Sequence, residues 1–278
     1  MRLLWALRRV PRSHRLLHTE YAGRSLGLRT DHDDVARFAQ AYLQAFGCRW
    51  TESGPYEDLP ETIVECLAEG PYHYRVRSPG LDAVHDALDC MAVVDMALRQ
   101  WLVAALTQRT DLRPYHAAAI AIGGRVWAIG GPSESGKSTL AMACHGYGWA
   151  VLSDEYTLCQ ATTAGATVEP FPRPWDIRHS DLDPLVVRGA AACIALGYPV
   201  RWPDGRVVPS TYWIPRDGFC LRADLPFGGW VLLDRHNSGL EPVGEESIVP
   251  SGLRYPVFRL GRTRVELMVR ELESLIQD

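Results

Sequence analysis

The residue types best placed to do chemistry lie between Gly131 and Glu155. Gly131-Pro132-Ser133-Glu134-Ser135-Gly136-Lys137-Ser138-Thr139 fits G-x-x-x-x-G-K-[ST] at every fixed position. An apolar run from Val126 to Ile129 leads into it, and Leu140 to Cys144 continues as a helix that Gly146 and Gly148 end. In a strand, loop and helix of this order, the two glycines let backbone N–H groups turn inward around phosphate oxygens. The helix start adds its positive end, Lys137 reaches the β and γ phosphates, and Ser138 is placed to ligate Mg²⁺. The chemistry described is the binding of a nucleoside triphosphate, ATP with Mg²⁺.

Composition sharpens this. Of 29 basic residues, 28 are arginine and one is lysine, Lys137, at the lysine position of the motif. A chain that writes arginine everywhere else keeps a compact ammonium where a planar guanidinium fork does not fit. The next apolar run, Trp149 to Leu152, ends in Ser153-Asp154-Glu155. Carboxylates at the carboxyl end of a strand beside a phosphate loop lie where ligands bind in such sheets. One of the two holds Mg²⁺ and the other takes a proton from an attacking hydroxyl, and residue types alone do not assign which. Strand alternation points the two side chains to opposite sides, so that one of them faces the nucleotide.

The elements around these residues read as α/β. Tyr21 to Thr30 is strand-like, and Asp34 to Phe46 puts Val35, Phe38, Ala39, Tyr42 and Phe46 on one helical face. Short strands are predicted at Thr62 to Cys66 and Tyr72 to Val76, and a long amphipathic helix over Leu81 to Gln108. Ala117 to Ile122, Val126 to Ile129, Trp149 to Leu152 and Trp230 to Leu233 read as buried strands. Two parts follow: a small N-terminal α/β region over 1–108 and a nucleotide-binding domain over 109–278.

Composition also excludes. A net charge of −4 gives no general drive toward nucleic acid, although residues 1–30 carry seven arginines against Glu20 alone, a basic arm or a solvated strand edge. No window of about 18 residues is both apolar and uncharged, so no membrane span is expected. The basic N-terminus is not followed by the apolar run of a secretory signal. Seven scattered cysteines without a C-x-x-C pair fit a reducing, cytoplasmic setting and small core residues. The oligomeric state is left open, a homo-oligomer included.

His116-Ala117-Ala118-Ala119, a strand, the phosphate loop, a helix, and a strand ending in two acids resemble the catalytic domain of HPr kinase/phosphorylase. The likeness runs from about Leu112 to Glu155. It implies a fold akin to phosphoenolpyruvate carboxykinase and transfer of the γ-phosphoryl group of ATP to a serine hydroxyl. By the resemblance His116 matches a phosphate-region histidine, Lys137 and Ser138 the nucleotide and Mg²⁺ residues, and Asp154 and Glu155 an aspartate pair. The Glu is a departure from that pair. Taken alone, His116 before an apolar strand reads as a core histidine. Asp176-Ile177-Arg178 is similar to the family's Glu-Ile-Arg stretch, whose acid contacts Mg²⁺. Pro256-Val257 and Gly261-Arg262 are similar to a Pro-Val and Gly-Arg-Asn segment linked to phosphorolysis, with Thr263 in place of the Asn. A strand over Tyr255 to Leu260 and an amphipathic helix over Thr263 to Ile276 account for most of those residues.

Residues 1–108 carry no motif of the HPr enzymes, and Glu134 stands where their loop is usually glycine-rich. In this the chain is similar to the divergent HPr-kinase-related group, which includes kinases of the terminal serine of lasso-peptide precursors. The partner expected is a peptide or protein serine; a folded carrier protein, or nucleotide sensing without transfer, are the alternatives. If the serine is C-terminal, an arginine from Pro172 to Pro174, or Arg178 or Arg259, is expected to grip its carboxylate.

Overall fold

A computed structural model of the chain describes residues 15–21, 24–31, 33–44, 51–52, 62–70, 73–78, 81–86, 111–171, 173–177, 183–201, 207–234, 239–247, 254–261 and 263–276. The chain forms two compact units, one of Met1–Gln44, Cys48–Ala105 and Pro199–Val208, the other of Ala45–Gly47, Leu106–Tyr198 and Pro209–Asp278.

In the first unit, β1 (Arg15–Tyr21) and β2 (Arg24–Thr30) pair as an antiparallel hairpin with Leu17 opposite Leu28, both fully buried. The sequence pattern shows only the second of these strands. The helix α1 (Asp33–Gln44) buries Val35, Ala36, Ala39 and Tyr42, the three- and four-residue spacing of one helical face. Next come β3 (Thr51–Glu52), β4 (Thr62–Gly70), β5 (His73–Ser78) and β6 (Leu81–Asp86), giving a sheet in the order β3-β1-β2-β4-β5-β6. Strand β6 corrects the helix expected from Leu81. It pairs antiparallel with β5 along its whole length, Ser78 opposite Leu81, and this continuous ladder outweighs an apolar spacing that also suits a helix. The rest of that expected helix, 87–108, lies outside the described residues.

The second unit holds β7 (Leu112–Tyr115), β8 (Ala118–Ile122), β9 (Arg125–Gly130), α2 (Lys137–Tyr147), β10 (Ala150–Ser153), β11 (Thr157–Thr162) and β12 (Gly165–Glu169). It continues through β13 (Trp175–Asp176), α3 (Pro184–Ala191), the parts of β14 (Cys193–Arg201) and β15 (Val207–Pro215) outside Pro199–Val208, then β16 (Phe227–Asp234), β17 (Leu240–Ser247), β18 (Arg254–Gly261) and α4 (Val265–Glu273). The main sheet is mixed, in the order β10-β8-β9-β16-β18-β17, with β16 parallel to both β9 and β18. Gly123 and Gly124 join β8 to β9 with φ of 60° and 79°. Two positive φ values in a two-residue hairpin suit glycine, and the pair fixes the β8–β9 register.

Alternation along the sheet explains its two coats. Ala119, Val126 and Ala128 pack with Cys159, Ala166 and Val168 of a smaller sheet ordered β12-β11-β7. Intervening residues such as Ala118, Ile120 and Ile129 are also buried, and α2 packs on β8 and β10 and against α3 and α4. Gly146 of α2 and Gly189 of α3 let those helix backbones touch, since a Cβ on Gly146 would lie 2.1 Å from the Leu185 carbonyl oxygen. Among the described residues no helix is long and apolar enough to cross a membrane.

Candidate functional site

Strand direction gathers the residues of the site. Strands β9 and β10 both pair antiparallel with β8, so they run the same way and end at the same edge of the sheet. The segment 131–136 leaves β9 there, and Ser153-Asp154-Glu155 leaves β10. The reverse direction of β8 brings His116, which precedes it, to that edge as well.

The loop geometry comes from its glycines. Gly131 has φ of 153° and Gly136 a left-handed 98°, and a Cβ on Gly131 would lie 2.7 Å from the Ser135 hydroxyl oxygen. Glu134, the departure from a glycine-rich loop, also adopts a positive φ of 61°, a conformation that costs a side chain about 1–2 kcal/mol. Strain of this kind accumulates where a loop is shaped for binding. Helix α2 starts with no side-chain cap and no acid in its first turn. Its first N–H groups and positive end are therefore directed at the loop and suit an anion. Pro132, Ser133 and Glu134 are exposed, Ser138 and Thr139 half-buried, and Ser135 buried, its hydroxyl without a hydrogen-bond partner in the protein.

Lys137 is buried and bends over this loop. Its ammonium donates to the carbonyls of Gly131 and Pro132, each at 2.9 Å. Burial lowers its pKa, while the charges of Asp154 and Glu155 act in the opposite direction.

The acids differ in setting. Asp154 is buried and accepts a hydrogen bond from the Ser138 hydroxyl, yet its Oδ1 has no partner. Burial pushes its carboxyl up to about 6; Arg173 and Ser138 pull it down, and Glu155 and Asp176 add to the rise. Glu155 is more open and is ion-paired to Arg173. The charges of both acids are felt at Lys137. The register of β10 slips between Val151 and Ser153, and the Ser153 hydroxyl accepts from the N–H groups of Glu155 (3.2 Å) and Tyr156 (2.9 Å). The pair thus sits in a turn past the strand, where strand alternation no longer applies.

Sequence reasoning gave Ser153 no role and offered Arg173 only as a grip for the peptide, not as a partner of Glu155. Ser153 carried a signal, a hydroxyl two residues before an acid at a strand end. Arg173 reaches the site because Phe171 docks beside β10, donating its N–H to the Leu152 carbonyl at 3.1 Å and bridging to Ser153. Its guanidinium is turned inward, so it is not an outward grip for a peptide carboxylate, and Arg259 is already paired with Asp234 and Glu241. Pro172, Arg178 and Arg262 lie outside the described residues. His116 is exposed, its ring 6.3 Å from that of Tyr156, the residue after Glu155. Asp176 is half-buried on β13, near enough for its charge to act on Asp154.

A divalent cation fits the residues present. Ser138 and the unpartnered Asp154 Oδ1 supply two hard oxygens beside a phosphate loop, the usual protein share for Mg²⁺. Among the described residues no group of three His, Cys, Asp or Glu forms a self-contained metal site.

The Arg173–Glu155 pair is mostly buried. Removing one partner of such a pair strands the other charge. Arg173→Gln and Glu155→Gln should each lower thermal stability, and the double variant should lose less than the two losses added. A double-mutant cycle by urea denaturation should give a coupling above about 1 kcal/mol. Strict additivity would show that the pair holds nothing in place.

No family model matches the chain, and no curated protein matches its sequence. Among solved structures, the Hpr(Ser) kinase/phosphatase from Coxiella burnetii superposes with a TM-score of 0.36 at 15% identity, over 59% of this chain and 94% of that one.

Proposed function

We propose that the second unit is an ATP-dependent kinase that phosphorylates a serine hydroxyl. The observation that carries this reading is the meeting of Lys137, Ser138, Asp154 and Glu155 at one edge of the sheet, with a buried carboxylate oxygen left unpartnered beside the phosphate loop. The resemblance over Leu112 to Glu155 agrees with it.

In this mechanism the loop N–H groups, the start of α2 and Lys137 hold the triphosphate. Ser138 and Asp154 hold Mg²⁺, which supplies countercharge to the phosphates when bound. Glu155, the more open acid, is the general base. It takes the proton of the acceptor hydroxyl as the oxygen–γ-phosphorus bond forms, and the bond to the bridging oxygen breaks to release ADP. Arg173 fixes the Glu155 carboxylate in place, and exposed His116 lies beside the entering group.

The acceptor in this reading is a serine of a peptide, at the C-terminus of a ribosomally made precursor. Incubation with γ-labelled ATP, a peptide ending in serine and, separately, a folded acceptor protein should label the peptide. Label on the folded protein alone would move the reading to a carrier-protein kinase, and nucleotide binding without transfer to either would leave a nucleotide sensor.

The same assay tests the end of the peptide. With an arginine gripping the terminal carboxylate, an amidated peptide should react at least about tenfold more slowly, some 1.4 kcal/mol. Equal rates at sub-saturating peptide would place the serine within a chain.

A further inference from the structure

The backbone of Arg173 is anchored on both sides. Two residues earlier, fully buried Phe171 docks on the end of β10, its N–H donating to the Leu152 carbonyl at 3.1 Å. Two residues later, fully buried Trp175 opens β13 and pairs with Trp213 of β15. Between these anchors the Arg173 N–H donates to the Phe171 carbonyl at 2.9 Å, a turn closed over three residues. An arginine usually carries its charge out to water and is buried only when paired, yet this one is buried.

What its guanidinium meets is the acid pair. It is bonded to Glu155, and after burial its charge has the largest effect on the Asp154 carboxyl. Asp154 in turn accepts from Ser138, in the first turn of α2. Ser138, Asp154, Arg173 and Glu155 thus form one connected series along the phosphate edge.

In the kinase reading, on which this inference rests, both ends of the series touch the same group. Ser138 and Asp154 hold the cation that joins β- and γ-phosphate oxygens. Glu155 is within hydrogen-bond reach of a hydroxyl that attacks the γ-phosphorus from about 3 Å. A guanidinium beside both acids is then within reach of the γ-phosphoryl oxygens. The charges point the same way. Asp154, Glu155 and Asp176 bring three carboxylates to this end of the site, and the transferring group is itself anionic. Lys137 covers the loop side, at the carbonyls of Gly131 and Pro132, and Arg173 supplies positive charge on the side of the acids. Its planar fork of five donors suits a carboxylate and a phosphoryl oxygen held together.

We propose that Arg173 is a catalytic residue whose guanidinium contacts the γ-phosphoryl group of bound ATP while it holds Glu155, countering the repulsion between that carboxylate and the transferring group. The bonds made and broken are those of the transfer already described. The acceptor proton passes to Glu155, and Arg173 keeps all of its own. A site built this way prefers a triphosphate to a diphosphate.

The test is nucleotide binding, which needs no acceptor. The full-length chain is titrated by calorimetry, with Mg²⁺ present, against ADP and against the β,γ-imido analogue of ATP, which has a γ-phosphoryl group but does not transfer it. The parent should bind the triphosphate more tightly. Arg173→Gln should lose at least about tenfold of that preference, the worth of one hydrogen bond between charged groups, and should bind ADP within about twofold of the parent. A purely structural role would weaken both nucleotides together. If Arg173→Gln loses its circular dichroism, the double variant Arg173→Gln/Glu155→Gln, in which neither charge is stranded, is compared with Glu155→Gln and should show the same tenfold loss. A parent without the preference, a preference unchanged in the arginine variant, or an equal loss for both nucleotides overturns this inference and leaves the kinase reading standing. A parent that binds neither nucleotide overturns both.

Discussion

Lys137→Ala should lower kcat/KM for phosphoryl transfer by at least about a thousandfold, roughly 4 kcal/mol of transition-state stabilisation, and Lys137→Arg should recover little of it. The reason for the second half lies in the loop. The ammonium is buried and held at 2.9 Å from two carbonyls, those of Gly131 and Pro132, inside a turn too tight at Gly131 to accept a Cβ. An ammonium is a compact donor that such a turn can surround; a guanidinium is wider, planar, and spreads its donors in a fork. Arginine keeps the charge, so a variant that fails with the charge present isolates geometry as the cause. Both variants should bind Mg·ATP more weakly and retain the circular dichroism of the parent. Lys137→Arg with most of the parent turnover would remove Lys137 from the phosphates.

Why the phosphate loop was legible and the acid pair only half so follows from how each is encoded. The loop is local: two glycines, a lysine and a serine at fixed spacing, so the sequence alone located Gly131 to Thr139 at the passage from β9 to α2, whose first turn holds Lys137, Ser138 and Thr139. The buried strands β8, β9, β10 and β16 were legible for a similar reason, as short apolar runs between turn residues. Asp154 and Glu155 were visible as residues, but the turn that carries them depends on a register slip against β8 and on the Ser153 hydroxyl, which strand periodicity does not carry. Arg173 depends on a non-local contact. It faces Glu155 only because Phe171 docks on the end of β10, and a Pro-Arg-Pro stretch read by itself looks like a surface loop. The strand β6 was lost to ambiguity, since apolar residues three and four apart also occur where a strand pairs along a hairpin.

The acid pair gives the other large effect, and its two halves should fail in different ways. Glu155→Gln should drop kcat by about a hundredfold or more, the usual worth of a positioned base, with Mg·ATP affinity nearly unchanged. Asp154→Asn should lose transfer through weakened Mg²⁺ and nucleotide binding, and should also make the nucleotide-free protein more stable at neutral pH. The sign follows from burial. The fold pushes the Asp154 carboxyl up to about 6, above the ordinary 3.8, so the folded chain holds this proton more tightly than the unfolded one. Stability from this group is therefore full below about pH 4, falls as pH rises through 4 to 6, and stays low above that, by up to about 3 kcal/mol for a shift of roughly two units. Asparagine resembles the protonated form and escapes this loss. In EDTA at pH 7.5 the variant should melt about 5–10 °C above the parent, with the gap closing near pH 4. Mg·ATP should narrow the gap at pH 7.5, because the parent, binding it more tightly, gains more. Equal melting temperatures in EDTA across that range would show that Asp154 carries no buried charge. Full transfer activity in Asp154→Asn would take Mg²⁺ binding away from it.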